Sequence, residues 1–447
     1  MQSQITTVTY DNAEIQRTQV VRWESWEQLE FLHPKHSPEA LDCFAGIYRK
    51  FLVPACPWLF GNMVLFRLPE DLPVPFPFET RRYGRVSDRL TAAAAVLEEG
   101  LHFRCGKPKF RDKSVETFYK TLENRGCLRV VRGKLPVTTI IPVGNLSGFL
   151  TEQEPDAQMK VNASFFIMDR FDCATVYDHL GIHLGLCVRN GVTENPPLYD
   201  REAFLVYENG SIAVKPLDLA EMEMEINGVV YRPGQNARLY TRPASVRTSA
   251  AGGKKLVIVG CRVAAVAQQG SVPVPASGFV LCPKGECTVR PGDRVVYRGL
   301  EDVRFGIQVG NSILRDGVST NRFVSKFYNI RKLEPVPYPP SLYPMNFRKA
   351  RAARIALGAD KGGKPMLLWA EGAAKIGYVP GQGSCGASLW EMARLCADAG
   401  MYNAVNLDGG GSAQILLKNC RSLMISDRTE ADCAEAERPV PLGLIVR

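Results

Sequence analysis

The chain has 447 residues, with 55 Lys and Arg against 46 Asp and Glu and a formal net charge of +9. That length exceeds one ordinary core and allows two or three domains, and 45% hydrophobic with 23% charged residues excludes a disordered or collagen-like chain. A charge this mild, with no dense Lys/Arg block, suits an anionic substrate and carries no nucleic-acid signature.

The N-terminus, "MQSQITTVTYDNAEIQ", is polar and lacks the apolar segment of a signal peptide. As given, the chain reads as cytoplasmic; as a processed form it would read as exported. No stretch approaches about 18 consecutive apolar residues, so no membrane span is expected. The 13 scattered cysteines, an odd count, suit reduced thiols better than a disulfide framework. Cys282 and Cys287, in "CPKGEC", could bridge a tight turn if the protein were exported. No tandem repeat of solenoid or propeller period is found.

In chain order, helix signals come first. "HSPEALDCFAGIYRKFL" offers Ser37 as N-cap and Pro38 at the first helical position. "VSDRLTAAAAVLEEG" and "DKSVETFYKTLENRG" end at Gly100 and Gly126, placed like C-terminal caps. "PEDLPVPFPFE" between them is too rich in proline for a helix. From about Leu128 the texture changes to short β-branched or alternating runs: "CLRVVRG", "VTTIIPVG", "AFLVYENGSIAVKPL", "KKLVIVGCRVAAVA" and "VRPGDRVVYRG". Asn209-Gly210 predicts a type I′ hairpin turn. Near the end, Ser388 and Glu391 form a capping-box pattern ahead of the stripe Leu389, Met392, Leu395, Cys396 and Ala399, and Gly400 closes that helix. The strand "YNAVNL" then delivers Asp408 to its end. The expected fold class is α+β: a β-rich mixed-sheet catalytic domain with flanking helices over 131–447, preceded by a mainly helical accessory region over 1–130 of unknown role.

"AVNLDGGGSAQILL" (Ala404–Leu417) is the segment richest in chemistry. Gly409, Gly410 and Gly411 remove every Cβ that would hold a ligand away, and successive amides in such a turn can form an anion nest. Ser412 adds a hydroxyl, and Asp408 adds a carboxylate that a phosphate would repel unless it serves chemistry, a metal or sugar hydroxyls. A plain hairpin turn, with Asp408 satisfying local amides, explains the composition equally well. No Lys follows for a P-loop, Gln414 stands where a dinucleotide fingerprint needs Gly, and no G-x-S-x-G elbow surrounds Ser412 or Ser384.

His179 and His183 lack the intervening Glu of a zinc-protease helix, and no cysteine pair has zinc-knuckle spacing; no metal site is expected. Asn162 in "KVNASFF" is either a turn former or a ligand-reading amide. Arg354 in "ARIALGAD" and Arg438 in "ERPVPLGLIVR" each precede a strand, where a guanidinium can hold a phosphate by two parallel bonds; either alone is more often a surface ion-pair partner.

Taken in order, "VNASFF", "GLCVRNG", "AFLVYENGSI", "VPASGFVL", "FGIQVGNSILRDG", "ARIALGAD", "GASLWEMARLCADAGMYNAVNLDGGGSAQILL" and "ERPVPLGLIV" resemble the phosphodiester glycosidase family, over roughly Leu128 to Arg447. The resemblance implies Asn162, Arg354 and Asp408 as catalytic residues, with Gly409, Gly410, Gly411, Ser412, Glu371 and Arg438 as substrate-binding residues. Ile355 stands in place of the family's Thr, and Glu371 with Ala373 in place of the Asp and Arg of D-G-R. The implied activity is cleavage of the sugar C1–O bond in a glycosyl phosphodiester of N-acetylglucosamine-1-phosphodiester type. The alternatives are a phosphodiesterase acting at phosphorus and a non-catalytic binder of glycans or envelope polymers. The expected partner is a glycosyl phosphodiester or sugar phosphate, with no nucleic acid and no membrane span; a homo-oligomer is left open. No cofactor is expected, and the sequence does not point to a divalent cation.

Overall fold

The computed structural model describes residues 1–9, 15–47, 49, 61–75, 79–80, 84–86, 88–144, 147–168, 173, 175–197, 201–242, 244–310, 312–320, 351–373, 384–418, 420–421 and 437–447. Among the described residues strands hold 43% and helices 16%, so the class is mostly β rather than α+β. The described α-helices are α1 (Pro38–Ile47), α2 (Arg89–Gly100), α3 (Lys113–Asn124) and α4 (Leu389–Asp398). Small sheets stand in a propeller-like arrangement. Among the described residues they range from two to seven strands, unlike the uniform blades that would give a sequence period.

The expected helical N-terminal region does not exist as such. Strands Gln2–Thr9, Ile15–Arg22 and Leu29–Leu32 precede α1. Their Thr and Val residues favour extended backbone, but Gln2–Thr9 is exposed along nearly its whole length and so lacks the apolar alternation that marks a strand. Ile15–Arg22 pairs antiparallel with Pro365–Ala370, setting Gln19 opposite Trp369. Leu29–Leu32 pairs with Gly443–Val446.

Two sheets therefore carry both ends of the chain. The first is seven-stranded, in the order Gln2–Thr9, Ile15–Arg22, Pro365–Ala370, Arg354–Asp360, Met401–Asn406, Ser312–Arg315, Val318–Ser319. The second is five-stranded: Leu29–Leu32, Gly443–Val446, Met159–Asn162, Ile415–Leu417, Cys420–Arg421. Alternation along Arg354–Asp360 sorts its side chains. Ile355, Leu357 and Ala359 enter a core shared with Met159, Val161 and Leu444 of the second sheet. Ala356 turns instead to Met392, Leu395 and Cys396 of α4. That helix has its capping box as expected: Glu391 N–H donates to Ser388 Oγ at 3.2 Å and Ser388 N–H to the Glu391 carboxylate at 2.7 Å.

Within 61–142 a three-stranded sheet has Gly61–Phe66 central, parallel to Leu135–Pro142 and antiparallel to Leu128–Val131, while Gly84–Val86 joins a separate six-stranded sheet with Val86 opposite Ala265. Val64 and Phe66 face α2 and α3, and Met63 and Leu65 face the main core. Three local expectations change here. The Ser37 hydroxyl makes no hydrogen bond, so Pro38 starts α1 without a side-chain cap. Gly100 is the last residue of α2, and a Cβ there would come within 2.7 Å of Val115, so it serves helix packing; Gly126, at φ +68, does end α3 in the left-handed region. At Asn209-Gly210 only Gly210 has positive φ. Tyr207 and Ser211 close a turn in which the Asn209 side chain accepts from Ser211 N–H at 2.9 Å, so the hairpin forms with a turn other than type I′.

Candidate active site

The strand Met401–Asn406 runs antiparallel to Arg354–Asp360, and its continuation links the two sheets. Leu407 N–H donates to Ile355 O at 2.8 Å, Asp408 N–H to Ala163 O at 2.9 Å, and Gly410 N–H to Ala353 O at 2.8 Å. The chain thus leaves the first sheet, touches the second at Asp408, and returns at Gly410. Asp408 and Gly409–Gly411 are partly exposed at this junction, while Ser412 and Gln414 are buried.

Each glycine answers a different constraint. A Cβ on Gly409 would stand 2.5 Å from the Ala353 carbonyl oxygen. Gly410 takes φ +59, which side chains disfavour. A Cβ on Gly411 would stand 2.5 Å from Arg438 Nη2. Close backbone approach, turn geometry and room for a guanidinium together account for the run.

Asn162, 1% exposed, pins both ends of this loop. Its Nδ2 donates to Asp408 O at 2.8 Å, and its Oδ1 accepts from Gln414 N–H at 2.9 Å. The Gln414 amide in turn donates to Arg438 O at 3.0 Å. A buried amide so engaged is a rigid joint. It holds the main chain of Asp408 and, through Gln414, that of Arg438.

The two arginines differ. Arg354 is 3% exposed, and its Nε donates to Ala387 O at 3.1 Å. Arg438 is half-buried against the glycine turn, donating to Ser412 Oγ at 3.3 Å and touching Met168 Sδ at 3.8 Å. Among the described residues no carboxylate pairs with it. The amides of Gly410, Ser412 and Ala413 already donate to carbonyl oxygens of the fold, so the turn is not the open anion nest its glycines suggest. A guanidinium beside a hydroxyl, with no described carboxylate paired to it, is still an arrangement that can receive an anion.

Glu371 lies fully buried one residue beyond the strand Pro365–Ala370. Its carboxylate accepts from Arg17 Nη1 at 3.2 Å and from Ser384 Oγ at 2.6 Å. The structure therefore brings Asn162, Asp408, Gly409–Ser412 and Arg438 together, and places Glu371 in a separate internal network. Ile355 is buried in the core between the sheets, in the same cluster as Leu407 and Ala413 on either side of the turn. Ala373 adjoins 374–383, which lie outside the described residues.

Sequence reasoning misses Gln414 as a structural link, noting it only as a residue that breaks a dinucleotide fingerprint. It misses Arg17 altogether, because nothing local marks a partner 354 residues away.

His179 and His183 lie in a loop and bridge region. Burial holds the His183 imidazole down at about 3, and lowers His179 as well. Among the described residues no group of three or more His, Cys, Asp or Glu is placed to hold a metal. Cys282 and Cys287 are both free thiols. No described helix is long and apolar enough to cross a membrane.

The profile of the phosphodiester glycosidase family matches residues 157–447. The chain belongs to that family. The mouse N-acetylglucosamine-1-phosphodiester alpha-N-acetylglucosaminidase is 28% identical over 209 residues, 41% of this chain and 37% of the mouse protein. The human protein of the same name is 34% identical over 89 residues, 20% of this chain and 16% of the human one. The match thus spans well under half the length of these family members. Among solved structures, a hypothetical protein from Synechocystis aligns with TM-score 0.43 and 14% identity, covering 100% of this chain and 62% of that one. The zebrafish N-acetylglucosamine-1-phosphodiester alpha-N-acetylglucosaminidase catalytic domain, described as auto-inhibited by its pro-peptide, aligns with TM-score 0.35 and 12% identity, covering 100% of this chain and 82% of that one. The family's matched segment contains Asn162, Arg354, Asp408 and Arg438 and begins after the N-terminal strands.

Proposed function

We propose that this protein is a hydrolase that cleaves the sugar C1–O bond of a glycosyl phosphodiester, of N-acetylglucosamine-1-phosphodiester type, releasing free sugar and a phosphomonoester. One observation carries the reading. Asp408 and Arg438 flank a single glycine turn, and the Asn162–Gln414 amide pair fixes both.

The chemistry suits that inventory. Ordinary glycosidases use two carboxylates, because a sugar alkoxide must be protonated as it leaves. A phosphate leaves as an anion already stable near neutral pH, its second pKa being about 6. One carboxylate and an anion site can then suffice. Arg438 and the Ser412 hydroxyl hold the phosphate and stabilise the charge it gains as the C1–O electrons pass to it. Arg354 is assigned to the same anion site by its family position and because the neighbouring Ala353 carbonyl receives Gly410 N–H. Asp408 stabilises the oxocarbenium-like sugar, either by attacking C1 or by taking the proton of a water that attacks it. Asn162 acts by holding the main chain of Asp408.

Turnover in ¹⁸O-labelled water tests the reading on a synthetic N-acetylglucosamine-1-phosphodiester. Label in the sugar supports cleavage at carbon; label in the phosphate would establish attack at phosphorus instead. Retained anomeric configuration would make Asp408 the nucleophile, and inversion would make it the base.

A further inference from the structure

We propose that the N-terminal strand Ile15–Arg22, which lies outside the family's matched segment, is a built part of the active site, and that Arg17 is a positioning residue for Arg354. The proposal rests on Arg354 belonging to the anion site described above.

Hydrogen bonds join Arg17 to Ser384 and Glu371, and the covalent chain carries on from Ser384 toward Arg354. Arg17 reaches the same sheet end as Arg354, since Thr18 stands opposite Ala370 and Ala370 opposite Arg354. Arg17 N–H donates to Ser384 Oγ at 2.7 Å, and Ser384 Oγ donates to the Glu371 carboxylate at 2.6 Å. Arg17 Nη1 donates to the other Glu371 oxygen at 3.2 Å. One main-chain and one side-chain bond lock the same pair of strands: Glu371 N–H donates to Arg17 O at 2.9 Å and Gln16 Nε2 to Glu371 O at 3.0 Å.

From Ser384 the chain runs three residues to Ala387. Ala387 exchanges reciprocal bonds of 2.9 and 3.2 Å with Ala352 and accepts from Arg354 Nε. Gly386, at φ +78, leaves no slack, since a Cβ there would stand 2.9 Å from Ala352 N. A shift of Ser384 would therefore pass along this short segment to the Ala387 carbonyl, which receives Arg354 Nε. Ser384 is held by Arg17 and Glu371.

The charge pattern agrees. Glu371 is fully buried, and a buried carboxylate is costly unless paired. Arg17, 37% exposed at its side chain, supplies the cation from a strand that the family segment lacks. A strand serving only as an edge cover would need neither this ion pair nor the bond to Ser384.

The test compares wild type with Arg17→Gln and Arg17→Lys, assayed well below their melting temperatures. Arg17→Gln should lower kcat about tenfold or more with KM changed less than about threefold, as misplacement of a catalytic group does. Arg17→Lys, which keeps the charge on Glu371, should recover most of that loss. A kcat unchanged in Arg17→Gln, with only the melting temperature lowered, would overturn the proposal. Hydrogen exchange gives a readout independent of substrate. In Arg17→Gln the amides of Ala352 and Ala387 should exchange at least about tenfold faster, and those of Met401–Asn406 should not. Unchanged exchange at Ala352 and Ala387 would sink the positioning role even if the wild type proved inactive on glycosyl phosphodiesters, which would itself count only against the reading of the reaction.

Discussion

Two parts of the first 142 residues relate differently to the rest of the chain. The strands within residues 2–32 join the two site-bearing sheets by backbone hydrogen bonds. Within residues 61–142, Gly61–Phe66, Leu128–Val131 and Leu135–Pro142 form a sheet with α2 and α3 on one face and the main core on the other, and Gly84–Val86 pairs with a separate six-stranded sheet; among the described residues none of these strands pairs with the two site-bearing sheets. Backbone pairing fixes register residue by residue, because a slip of one turns every side chain to the wrong face. Side-chain packing fixes only volume and shape. The first part should therefore control the geometry of the site, and the second its stability.

The largest expected effect calibrates that contrast. Asp408→Asn should cut kcat by about 10³-fold or more while leaving the melting temperature nearly unchanged, since the main-chain bonds of Asp408 do not need its charge. Full activity in that variant would remove Asp408 from the chemistry.

Next comes a matched pair of truncations. Trp26 packs against Phe204 at 5.4 Å and Phe305 at 6.1 Å, and its indole N–H donates to Gly363 O at 2.8 Å. Phe118 of α3 is 4% exposed, in the core of the second part. Each change to Ala should cost about 3–5 kcal/mol, read from urea unfolding. Only Trp26→Ala should also lower kcat at low temperature, because Trp26 ties the N-terminal strands to the turn between two site strands. Equal losses of kcat in both variants would break the comparison.

The smallest effect concerns pH. Burial lowers His183 from an ordinary 6.5 to about 3, with the His33 imidazole beside it acting in the same direction and the Glu194 carboxylate opposing. The unfolded chain then binds more protons than the fold below pH 6.5. The stability linked to His183 is present above that pH and is lost as pH falls toward 3. His183→Phe should flatten the decline in melting temperature between pH 6.5 and 4, by about a few degrees. A slope identical to wild type would place the acid sensitivity elsewhere.

What could be read from the sequence follows from how local each signal is. The capping box at Ser388 and Glu391, the strand after it, and Asp408 at the strand end are written within 21 consecutive residues, so they could be seen. Gln2–Thr9 could not, because an exposed edge strand has no buried face to impose alternation, and Ile15–Arg22 could not, because it is covered on both faces and buries polar Gln16, Thr18 and Gln19 beside Val20 and Val21. The glycine run was visible as permissive backbone, but its reasons were not. Gly409 yields to a carbonyl 56 residues earlier in the chain and Gly411 to a guanidinium 27 residues later. Glu371 stood out by family position, and only the fold shows its carboxylate turned to Arg17.

The Asn162 joint has one more consequence. Three successive glycines have more freedom to lose than any other tripeptide. With one amide pinning Asp408 O and Gln414 N–H, that freedom is surrendered when the protein folds rather than when substrate arrives. The loop meets its ligand already shaped, so binding energy is left for the reacting bond.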